Sequence, residues 1–132
     1  MILTGVDTNH EDLIEWWLNN ALKHNPNENI GVWDFGMSPA KREKIEKDYS
    51  QVWLSIPLDK REDSGWFYKL HAVIDAPEKR VMWLDVDCEI LTNIEDVFHK
   101  VSLKKHPTVK KNIIHIYLDV TLVSFSEIFI CF

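Results

Sequence analysis

Two carboxylates one residue apart, Asp85 and Asp87, follow the apolar run Val81-Met82-Trp83-Leu84, and a third acid, Glu89, stands two places on. Carboxylate oxygens suit hard divalent ions such as Mg²⁺ and Mn²⁺, which keep coordination positions open for phosphates. Residues two apart on an extended chain point the same way, so the pair can converge on one ion if the strand continues past Leu84. A D-x-D triplet alone is a weak signal. Its setting, between an apolar run and a helix start at Thr92, raises it. Two other readings compete. In one, the acids solvate a strand end and favour the dipole of the helix that follows. In the other, Asp85, Asp87, Glu89 and Asp96 form a calcium loop at EF-hand-like spacing. The second fails, because Ile90 stands where the sharp turn needs Gly and a strand-like run replaces the entering helix.

The elements that must carry these groups alternate in type. Residues 1–6 form an apolar run ending at Asp7 and read as a strand. Residues 11–24 place apolar side chains at 14, 17, 18, 21 and 22, a helical period with one buried stripe, closed by Asn25-Pro26. A second strand is expected over 29–35, and Ser38-Pro39 supplies an N-cap and a first-turn proline for a charged surface helix. A third strand over 51–56, a helix over 66–76 stopped by Pro77, and a fourth strand over 80–85 follow. Thr92 and Glu95 have capping-box spacing for a helix over 93–100, and residues 114–125 alternate as a strand with one wet face. Strands alternating with helices imply βαβ units, so the expected class is α/β, a mainly parallel sheet with helices on both faces. Ligands in such sheets sit beyond the carboxyl ends of the strands. Asp7, Asp34 and Asp85 all fall there.

At 132 residues the chain is one domain, with an ordinary globular composition. Its net charge of −6 argues against a nucleic-acid partner. The segment 99–111 carries five Lys and no acid, and reads as a solvated connection rather than a phosphate site. The two cysteines, Cys88 and Cys131, fit no metal spacing and suggest a reduced, cytoplasmic protein. No signal peptide is read at the N-terminus. His115, Asp119 and Glu127 interrupt the apolar C-terminal stretch, so no membrane span is expected.

The motif hhhhDxD is shared by two phosphate-handling families. Haloacid-dehalogenase-like phosphatases open with it and continue with a small pair, whereas Cys88-Glu89 follows here and eighty residues precede it. The chain more closely resembles GT-A nucleotide-sugar glycosyltransferases of the glycogenin and galactosyltransferase group, from Met1 to about Phe98. ILTGVDTNHEDL looks like the first strand and loop holding nucleobase and ribose, with Asp7 and Asn9 at its polar positions and His10 where an aromatic often stacks. VWDFGMS resembles the second strand with its Asp-x-Gly turn at Asp34 and Gly36. Lys69 matches a basic position that contacts the donor or steadies the acidic pair, and WLDVDCEIL with I-x-x-x-F after it is the most specific part.

The resemblance implies a Rossmann-like GT-A half, with residues 1–100 binding a nucleotide sugar and residues 101–132 an atypical tail with one strand in the same domain. Members of this fold are longer, so the chain reads as truncated after the D-x-D region. The resemblance implies donor contacts at Asp7, Asn9, Asp34, Lys69 and Asp85, and Mn²⁺ or Mg²⁺ held by Asp85 and Asp87. It assigns no catalytic side chain and no acceptor, and neither His106 nor His115 matches a third metal ligand. A UDP-sugar is the expected donor. The exposed edges of half a sheet make homodimerisation an expectation too. Plainer readings stand beside these roles. Asp7 and Asn9 also suit capping, Lys69 also suits snorkelling from an apolar helix, and the six Trp suit core positions. A non-catalytic nucleotide-sugar-binding remnant and a phosphatase are the alternative functions.

Overall fold

In a computed structural model of the chain, the described residues are 1–56, 65–95, 112–114 and 129–131. The expected helix beyond Glu95, the basic segment 99–111 and the strand over 114–125 beyond its first residue lie outside them.

Five strands form one parallel sheet in the order β3-β2-β1-β4-β6, where β1 is Ile2–Val6, β2 Ile30–Asp34, β3 Trp53–Leu54, β4 Arg80–Trp83 and β6 Asn112–Ile114. Helix α1 (Ile14–His24) joins β1 to β2, α2 (Pro39–Asp48) joins β2 to β3, and α3 (Gly65–Asp75) precedes β4. From β1 the chain steps outward to β2 and β3, then returns to lay β4 on the other side of β1. The order therefore reverses between β1 and β4. Such a switch point opens a crevice at the carboxyl ends of the two strands.

The period of two along the strands sorts the core into two layers. Ile2, Val6, Ile30, Val32, Met82 and Leu84 pack with Ile14, Trp17, Leu18 and Ala21 of α1 and Ile45 of α2. On the opposite face Leu3, Trp33 and Val81 pack with Ala72, Val73 and Ala76, at the end of α3. Crossovers that keep the right-handed rule while running in opposite directions must place their helices on opposite faces, as α1 and α3 are placed. The α/β class and the parallel sheet with helices on both faces are as expected. The stripe expected on α1 is buried at Ile14, Trp17, Leu18 and Ala21. Ser38 caps α2, accepting from the Lys41 backbone N–H, and Pro39 opens the helix.

Two local expectations are corrected. Helix α1 begins at Ile14 rather than at residue 11, because Asp7 draws the backbone N–H groups of Asn9 and His10 into a turn first. Strand β3 spans two residues rather than six. At the start of the 93–100 region, Asn93 Oδ1 accepts from the Glu95 backbone N–H at 2.7 Å.

Beyond the parallel sheet, β5 (Cys88–Ile90) pairs antiparallel with β7 (Phe129–Cys131), and the register sets Cys88 opposite Cys131. Cys88 is in a disulfide. This corrects the expectation of reduced cysteines. The two positions are remote in sequence and become neighbours only through a ladder that linear spacing does not disclose. No helix among the described residues is long and apolar enough to cross a membrane.

Candidate functional site at the strand switch point

The first wall of the crevice is the loop after β1. Asp7 Oδ1 accepts from the backbone N–H groups of Asn9 at 3.1 Å and His10 at 3.2 Å, and lies 2.8 Å from His10 Nδ1. Its other oxygen accepts from the Asn9 side-chain amide at 3.3 Å. Burial pushes the Asp7 carboxyl upward, but the bonds and charge from His10 and the bonds from Asn9 outweigh it and hold the group below its ordinary value of 3.8. Asp7 is thus an ionised carboxylate that shapes its own loop. Glu11 extends this order by accepting from the Ser38 backbone N–H at 2.7 Å and its hydroxyl at 2.8 Å, which ties the loop to the start of α2.

The second wall is the D-x-D segment. β4 ends at Trp83, and the Cys88 backbone N–H donates to the Asp85 carbonyl at 3.0 Å, so residues 85–88 form a turn. The extended geometry expected past Leu84 is therefore replaced. Asp85 and Asp87 still face one cavity, brought there by the turn rather than by strand alternation. Asp85 Oδ1 accepts from Lys69 Nζ at 2.6 Å and from Trp83 Nε1 at 2.7 Å. Asp87 takes no hydrogen bond from nitrogen or oxygen among the described residues. From behind, Asn20 Oδ1 accepts from the Ile90 backbone N–H and Asn25 Oδ1 from that of Ile94 at 2.8 Å, fixing the segment to α1.

Between these walls lies a cavity of about 340 Å³ lined by Gly5, Asp7, His10, Phe35, Tyr68, Lys69, Asp85, Val86 and Asp87. That volume is at the lower end for small-molecule sites. Gly5 is required by close approach. A Cβ there would meet Phe35 Cζ at 2.7 Å and Trp83 Cη2 at 2.8 Å. Phe35 stacks on Trp83 at 6.1 Å between centroids and meets Tyr68 at 5.8 Å.

Of the expected site residues, Asp7, Lys69, Asp85 and Asp87 come together, and His10 joins them. Asn9 supports Asp7 without lining the cavity. Asp34 stands apart. Its carboxylate is 2 % exposed, with Oδ1 accepting from the backbone N–H groups of Gly36 and Met37 and Oδ2 from Arg42, all at 2.7 to 2.8 Å. Gly36 at φ +113° provides the left-handed turn that this bonding needs. No cluster of three or more His, Cys, Asp or Glu suited to a metal ion occurs among the described residues. Sequence reasoning missed the Trp83 bond, Phe35 and Tyr68 at the cavity, and the two asparagines behind it. Only the W-x-D spacing at 83–85 could have pointed to the first.

No protein-family profile matches the chain, and neither does any curated protein sequence. Solved structures do. A galactosyltransferase, LgtC, crystallised with donor and acceptor sugar analogues, superposes with a TM-score of 0.57 at 18 % identity, covering 74 % of this chain and 41 % of its own. The fold is that of a GT-A glycosyltransferase. An active-site mutant of LgtC, Q189E, gives a TM-score of 0.55 at 18 % identity over 73 % of this chain and 40 % of its own. The chain therefore spans about two-fifths of the length of these galactosyltransferases.

Proposed function

We propose that this GT-A chain binds a nucleoside-diphosphate sugar, a UDP-sugar above all, in the crevice between β1 and β4, together with Mn²⁺ or Mg²⁺, and serves transfer of the sugar to an acceptor. The observation that carries this reading is the gathering of Asp7, His10, Lys69, Asp85 and Asp87 around one cavity at the point where strand order reverses.

The donor set fits a hard divalent ion. Asp87 has no competing nitrogen or oxygen partner among the described residues, and Asp85 keeps Oδ2 open while Oδ1 is held. Two carboxylates without a third side-chain ligand suit an ion whose remaining positions are taken by water and a pyrophosphate. Such an ion, when bound, neutralises the negative charge that builds on a departing nucleoside diphosphate. Asp87 would be its main protein ligand, with Asp85 sharing the ion or meeting the ribose. Lys69 adds a positive charge beside the same phosphates. The loop of Asp7, Asn9 and His10 faces the nucleobase and ribose, with the His10 ring as a stacking surface. Asp34 is buried with three hydrogen bonds and does not line the cavity, and its part in this reading is to hold the turn after β2. The breaking glycosidic bond passes through an oxocarbenium-like state, stabilised by the leaving group's neutralisation rather than by a strong side-chain nucleophile.

Calorimetry with UDP-galactose and UDP-glucose tests this. Binding is expected only with Mn²⁺ or Mg²⁺ present. Equal binding with and without metal, or none in either case, overturns the reading. Metal-dependent binding without transfer to any sugar acceptor would assign the chain a binding role alone. Turnover of a phosphate monoester blocked by beryllium fluoride would replace the reading with a phosphatase.

A further inference from the structure

The indole of Trp83 occupies an unusual place for a residue that the sequence assigns to the core. It is the last residue of β4 and lies two positions before Asp85, whose carboxylate its indole reaches. Its ring is fixed by stacking on Phe35, with centroids 6.1 Å apart and planes at 24°. Gly5 supplies the clearance beneath that stack. The Lys69 ammonium sits 6.0 Å from the centroid of the same ring. From this anchored position Nε1 donates to Asp85 Oδ1 at 2.7 Å, and Lys69 adds its bond to that same oxygen. Oδ2 accepts no hydrogen bond among the described residues.

We infer that Trp83 is a positioning residue: it locks the rotation of the Asp85 carboxylate so that Oδ2 is presented to the donor complex. The inference rests on the nucleotide-sugar reading and deepens it. Lys69 alone cannot do this. Its side chain is flexible and 38 % exposed, and a divalent cation arriving beside Asp85 repels its ammonium. The indole N–H is neutral, is a donor only, and is carried on a packed ring, so its hold on Oδ1 survives the arrival of the ion. Partners of this kind orient the groups that meet a metal, and their loss costs about 10- to 100-fold in affinity.

The variant W83F keeps a stacking ring and removes the donor. With UDP and Mn²⁺ as the probe, its affinity is expected to fall by about 10-fold or more, with a melting temperature close to the parent's. In a D85N background the same change is expected to cost less than about 2-fold, because a residue acting through Asp85 has nothing left to orient. A ligand-free readout stands beside the cycle. The Trp83 indole proton resonance, identified by its absence in W83F, is expected to shift upfield in D85N as its charged acceptor is lost. An unchanged affinity in W83F, a full-sized loss that persists in D85N, or an indole resonance indifferent to D85N overturns the assignment. A parent that binds no Mn²⁺–UDP at all overturns the nucleotide-sugar reading and this assignment with it. A parent that binds beside an unaffected W83F overturns the assignment alone.

Discussion

Asp34 and Asp85 each follow an apolar strand of the same parallel sheet, and their fates are opposite. At the end of β2, Asp34 is buried and has both oxygens held, by two backbone N–H groups and by Arg42, which also donates to the Ser55 carbonyl at 2.9 Å. At the end of β4, Asp85 is 46 % exposed and has one oxygen held and one open. Both carboxylates pair with a basic side chain at 2.6 to 2.7 Å, so proximity to a cation does not distinguish them. Position does. β2 lies between β1 and β3, and the turn after it folds its backbone N–H groups onto Asp34, whereas β4 borders the switch point, where Asp85 lines the cavity. An acid at a strand end is a structural clamp in the first place and a candidate ligand in the second.

The largest effect is expected at the clamp. R42A leaves a buried carboxylate without its counter-charge, and loss of one partner of a buried pair costs roughly 3–5 kcal/mol. Urea unfolding should show it as a drop in midpoint at constant slope. At the open end, D87N should unfold like the parent yet lose Mn²⁺-dependent UDP binding by about 100-fold in calorimetry, a figure at the upper end for groups supporting a metal. A variant that lost stability instead would make Asp87 a second clamp. Next, G5A drives a methyl group into Phe35 and Trp83, and overpacking of this kind costs roughly 1–3 kcal/mol. Thermal melting would report the loss. K69M sharpens the contrast with Arg42. An ion pair this exposed contributes about 0–1 kcal/mol to stability, so its melting curve should nearly overlay the parent's, while UDP affinity weakens by several-fold, about 1 kcal/mol in binding terms.

The smallest effect lies away from both strand ends. Hydrogen bonds from Lys41 and Lys44 hold Glu15 below its ordinary value of 4.5. A depressed carboxyl stabilises the fold above its unfolded value and loses that contribution as pH falls through the folded one. E15Q should therefore shrink the loss of melting temperature on acidification below pH 4.5 and change little at neutral pH. An unchanged acid limb would show that this exposed network contributes nothing measurable.

What the sequence disclosed follows from how far each interaction reaches. The buried stripe of α1 and the alternation of Ile2 and Leu3 between two cores are local periodicities, and both are readable as patterns. The strand-end position of Asp7 and Asp85 follows from the same patterns. The turn at 85–88 was hidden because it follows an apolar run without a break and carries no Gly or Pro to mark it. The clamp at Asp34 depends on Arg42, which reads as one more charge on a charged helix. Asn20 falls off the apolar stripe of α1 and Asn25 at its stop, and their partners Ile90 and Ile94 are about seventy residues away. No spacing rule reaches that far. The contrast between Trp83 and the buried Trp17 and Trp33 is likewise a matter of one hydrogen bond, not of composition.

Those two asparagines give helix α1 a mechanical standing. The helix is entered from the loop bearing Asp7 and His10, and its far end and C-cap grip the chain just after Asp87. Both jaws of the crevice are thus bolted to a single girder. With both jaws fastened to one rigid rod, the width of the opening is set by the helix rather than by either loop alone, which would leave the proposed donor little to rearrange on entry.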